Sequence, residues 1–150
     1  MGTAVSWSKL KFDEADCYEI KKELIRRLGV YKLSDSVAFA EWLCQESKRI
    51  SGAWFGEDKS VSKTDITRRA QKGLLRMIIA AFNDVMRLNI ELSDKLINTD
   101  QVDEIRKIAD KLDPEEAAVR ISKAAENMRW VDASVNEKLL FEELLLNYAD

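Results

Sequence analysis

The side chains of this chain that could move protons are carboxylates: there are 27 Asp and Glu and no His. Two carboxylates can divide into general acid and general base when their surroundings push their pKa values apart. Here the acids fall mostly on the polar sides of helical repeats, where solvation accounts for them without catalysis. The lack of His removes histidine triads and most types of zinc site. Cys17 and Cys44 lie within expected helices and read as reduced, buried thiols. Neither G-x-x-x-x-G-K-[ST] nor G-x-G-x-x-G occurs, so phosphate binding by those loops is excluded for this sequence. No catalytic residue, cofactor-binding residue or metal ligand is therefore assigned, and the chain is not expected to be an enzyme.

One charged group has geometry. Arg69, Lys72, Arg76 and Arg87 fall within about a 60° sector of one helix at about 100° per residue. Such a stripe can meet phosphates. It lacks interleaved aromatics and has Asp84 beside it, so a solvated face or an acidic partner is the expectation, with no strong direct DNA binding. Trp7, Trp42, Trp54 and Trp130 read as packing aromatics. Trp54–Phe55, flanked by Gly52 and Gly56, reads as the tip of a loop that anchors or docks.

The elements that carry these residues are helices. The composition is 46% hydrophobic and 34% charged, with 5 Gly and 1 Pro, as folded all-α chains are. The net charge of −3 gives no general attraction to nucleic acid or anionic membrane, and no apolar run is long enough to span a bilayer. A bundle of five to seven helices is expected, forming a single domain over 1–150. The first 60 residues are its less defined part and 62–150 its core. Phe12–Leu28 carries Cys17, Ile20, Leu24 and Leu28 on one side, with Gly29 as terminator. Ser34 or Asp35 starts a second helix with Val37, Ala40, Leu43, Cys44 and Ser47 inward, fading near Ile50. The glycine-bearing stretch Ser51–Ser62 reads as a loop.

A long central helix follows, capped by Ser62 with Asp65, its stripe running from Leu74 to Met86 and its end near Asn89. Ile90–Asn98 reads as a short helix or a broken continuation. Asp100 is the expected cap of a helix with Val102, Ile105, Ile108, Ala109 and Leu112 inward. Asp113, Pro114, Glu115 and Glu116 form a strong start for the next, since each suits the amide-rich end of a helix. Its stripe is small: Ala117, Ala118, Ile121, Ala124, Ala125, Met128. Ser134 or Asn136 caps the last helix.

The stretch "LINTDQVDEIRKIADKLDPEEAAVRISKAAENMRWVDASVNEKLLFEELLL" resembles the C-terminal helical domain of bacterial clamp-loader subunits of DNA polymerase III. It is most similar to the delta-prime type, with gamma/tau relatives. The ending "NMRWVDASVNEKLLFEELLL" and the "LIN-D" entry carry the likeness, and "AAFNDVMRL" is a weaker part of it. The similarity runs from about Thr64 to Ala149. The family pattern has an asparagine where Ser134 stands. The resemblance implies a collar-like scaffold in the ring that places the sliding clamp on primed DNA. It implies as partners the gamma/tau and delta subunits, as location the cytoplasm, and an N-terminal ATPase-type module that this chain lacks. The alternative is an unrelated helical adaptor or regulatory module that binds a partner protein through its last helix.

That helix is overloaded with apolar residues for one buried face. Leu139, Leu140, Phe141, Leu144, Leu145, Leu146 and Tyr148 fall on almost every side of it. Leu140, Leu144 and Tyr148 are expected inward. Leu139, Leu145 and Leu146 are the expected interface with neighbouring subunits, because monomers rarely expose large apolar patches.

Overall fold

A computed structural model describes residues 14–57, 62–90, 95–133 and 135–148. The described residues are all helical or in turns, with six α-helices and no strand. They are α1 (Glu14–Gly29), α2 (Ser36–Glu57), α3 (Lys63–Asn89), α4 (Val102–Ala109), α5 (Pro114–Asp132) and α6 (Glu137–Leu146). The 27-residue α3 is the central element and packs most extensively on α5. The small side chains Ala117 and Ala124, both fully buried on α5, permit that close approach. On α3, Leu74, Leu75, Ile78, Phe82 and Val85 are fully buried as the stripe requires, whereas Ile79 and Met86 are half-buried. One continuous apolar core joins residues from all six helices.

The caps follow local chemistry. The Ser62 hydroxyl accepts from Asp65 N at 3.1 Å. Asp113 and Glu116 form a reciprocal box: Asp113 Oδ1 accepts from Glu116 N at 2.8 Å and Glu116 Oε1 from Asp113 N at 3.2 Å. Asn136 starts α6, its side chain accepting from Leu139 N at 3.1 Å. The other candidate cap, Ser134, lies outside the described residues, as do Trp7 and residues 91–94 of the Ile90–Asn98 stretch.

Several expectations are corrected. The stretch from Ser51 is not a loop: α2 runs on through Glu57, and Trp54 is partly buried against the core. Gly52 costs the helix about 1 kcal/mol relative to Ala, and the burial of Trp54 against the core offsets it. Val37 is exposed, because the buried stripe of α2 starts at Ser36 and continues through Phe39, Ala40, Leu43, Ser47 and Ile50, about 100° away from Val37. Asp100 does not cap α4, which begins without a side-chain cap. It sits in the 3-10 turn Thr99–Gln101 and binds α1 instead. Tyr18 OH donates to it at 2.5 Å and Lys21 Nζ at 3.1 Å. Burial opposes ionisation of Asp100, but these donors outweigh it and hold the carboxyl below its ordinary value.

Candidate protein–protein interface

The surface of α6 is defined by how firmly its other side is held. At its start, Glu137 Oε2 accepts from Gln71 Nε2 of α3 at 2.6 Å and from Ser47 Oγ of α2 at 2.9 Å. Cys44 also hydrogen-bonds this carboxylate; burial, and then the charge of Glu137, push its thiol up to about 12. A thiol so far from ionising is a packed group and not a nucleophile. In the middle, Asn127 of α5 donates Nδ2 to Leu140 O at 3.0 Å. At the far end Tyr31 OH donates to Leu145 O at 2.7 Å, Arg120 donates to Tyr148 O, and Tyr148 OH donates to Arg120 O at 3.1 Å. The Tyr148 ring meets Phe82 edge-on at 5.3 Å between centroids. Burial first of all keeps the Tyr148 phenol far above its ordinary value, so this hydroxyl stays a donor.

These bonds fix the rotation of α6 about its axis. Leu140, Phe141, Leu144 and Leu145 face the core, and Tyr148 follows them. Leu139 remains 59% exposed and Leu146 53%. Seven residues apart, they stand on one side, separated by about two turns. Leu145 is a correction: it is 0% exposed, not a surface residue. It shares an angular sector with Phe141 and Tyr148. Because α6 packs against both α2 and α5, its buried arc is wider than a single helix contact would make it.

Sequence reasoning missed Val119, which is 57% exposed on α5. It lines a shallow groove with Asn147, the residue after Leu146, but its other neighbours there include Asp113, Glu115 and Glu116, so it stands as a single apolar side chain among charged ones. Its signal was an apolar residue off the alanine stripe. Several carboxylates are engaged in structure. Asp84, noticed at first only as a neighbour of the basic stripe, is fully buried. It accepts from Ile97 N at 2.7 Å, Asn98 N at 2.8 Å and Asn98 Nδ2 at 2.7 Å. The basic stripe is divided. Lys72 pairs with Asp132 at 2.8 Å, Arg87 lies 3.7 Å from Asp84, and Arg69 and Arg76 are exposed. Among the described residues no group of three or more potential metal ligands converges, and no helix is long and apolar enough to cross a membrane.

No curated protein and no solved structure matches the chain significantly. A family model does: that of the C-terminal domain of the DNA polymerase III delta subunit, over residues 63–150. The match takes in α3 to α6 and therefore both Leu139 and Leu146. The chain belongs to this family, the C-terminal domains of DNA polymerase III delta subunits.

Proposed function

We propose that this chain is a scaffold domain of a clamp loader, joining the loader ring through the outer side of α6. The observation that carries the reading is the pair Leu139 and Leu146, exposed on a helix whose opposite side is locked into the core. Apolar side chains held outward on a rigid element suit an interface between subunits. The likeness of Asn127–Leu146 to the delta-prime type supports a delta-prime-like position, with gamma/tau and delta subunits as neighbours in the collar. The core shared by all six helices supports one domain, whose role is assembly and not chemistry. The pairing of Lys72 and Arg87 with carboxylates supports weak direct DNA binding at most.

The test is co-purification of the chain with the other loader subunits after Leu139→Asp or Leu146→Asp. Both variants are expected to melt like the parent, since surface changes usually stay within about 0.5 kcal/mol. Both are expected to lose assembly, because a carboxylate would be buried without a partner. Retained assembly in both variants would remove this surface from the interface.

A further inference from the structure

A cleft of about 350 Å³ opens where the C-terminal ends of α1 and α6 meet the α4–α5 turn. Leu28, Ile108 and Leu112 give it an apolar lining, alongside Tyr31 and Tyr148. Its charged lining has one sign only: Lys32, Lys111 and Arg120, with no Asp or Glu. This is a local reversal on a chain whose net charge is −3. Lys111 is already placed, since its Nζ donates to Gly29 O at 2.7 Å. That acceptor is neutral, so the bond orients the ammonium without cancelling its charge. Leu33, next to Lys32, stands 57% exposed in the lining and adds apolar surface that the bundle leaves uncovered.

Cations around an apolar recess recognise a ligand with an apolar body and a negative group. A recess lined by charges of one sign concentrates their field on such a ligand. We propose that this cleft binds an acidic peptide segment of a partner protein, with an apolar side chain against Leu33 and the leucine lining and a carboxylate at Lys32 and Lys111. A nucleic-acid strand suits the site less well. It needs cations that follow a phosphate track, and here they gather around a single recess whose lining is polar and apolar in nearly equal parts. The site combines Leu28–Leu33, which precede the family-matched region, with residues inside it. It is separate from the Leu139–Leu146 surface and does not depend on the scaffold reading.

The experiment is fluorescence anisotropy with the 150-residue chain and three labelled probes. These are a short peptide alternating leucine and aspartate, its leucine–asparagine counterpart, and a single-stranded oligothymidine. The leucine–aspartate peptide is expected to bind saturably, and the asparagine counterpart about tenfold or more weaker. Lys32→Glu should weaken the aspartate peptide by about tenfold with no change in melting. Leu33→Asp should weaken it too; if that variant melts early, Lys32→Glu at its exposed position carries the comparison alone. No saturable binding, equal binding of both peptides, an unchanged affinity in Lys32→Glu, or tighter binding of the oligonucleotide would each overturn the proposal.

Discussion

At the scale of single residues, Asp84 is the most consequential polar group in the bundle. Its carboxylate lies at 0% exposure on α3 and accepts three hydrogen bonds from Ile97 and Asn98. It thereby fastens the segment before α4 to the central helix. Asp84→Ala would leave those three donors without an acceptor, the two of Asn98 buried and that of Ile97 partly so, each costing desolvation free energy. The expected loss is about 3 kcal/mol in urea denaturation. A loss below about 1 kcal/mol would mean that water reaches Ile97 and Asn98 and that the carboxylate is dispensable. Asp84 could not be read from its neighbours in sequence. On the helical repeat it borders Arg87 like any surface acid, and only the return of residues 97–98 over it makes it internal.

At the scale of elements, the helices divide by how their ends are specified. The start of α5 is determined locally: Asp113 supplies an acceptor, Pro114 lacks an unused donor, and Glu116 returns a bond to the cap. Asp113→Ala is expected to cost about 1 kcal/mol, read as a lower midpoint in urea with an unchanged slope. Asp113→Asn should recover most of it, since the amide oxygen still accepts from Glu116 N. The end of α2 is the opposite case. Two glycines near Trp54 suggest a break, yet the helix runs on to Glu57 because Trp54 gains burial against other helices. The start of α4 fails for a similar reason: Asp100 has a cap's composition, but Lys21 and Tyr18 of α1 claim its carboxylate.

At the scale of the whole molecule, the leucines of α6 sort into two classes by contact alone. Leu145→Ala is expected to lower stability by about 2–5 kcal/mol, the range for a buried leucine whose cavity collapses only in part. Leu146→Ala, one residue along, should change it by no more than about 0.5 kcal/mol. Thermal melts of the two variants side by side check this. Equal losses would mean that Leu146 is covered within the monomer, and the proposed ring contact would lose half of its surface.

Composition and periodicity determined the helical class, the central place of α3, the inward residues Leu140, Leu144 and Tyr148, and the cap at Asp113, while they left Ser134 and Asn136 both open as the start of α6. Those features depend on the repeat of one helix and on groups a few residues apart, so adjacent sequence contains all of their causes. The position of Leu145 does not. A helical wheel gives angles but not the width of the arc that neighbours cover, and that width follows from α6 packing against both α2 and α5. Tyr31, Arg120, Gln71 and Ser47 set its rotation from well outside α6 in the chain. The burial of Asp84 and the gathering of Lys32 with Lys111 around one cleft have the same origin. They are contacts between residues remote in sequence, and only the folded chain brings them together.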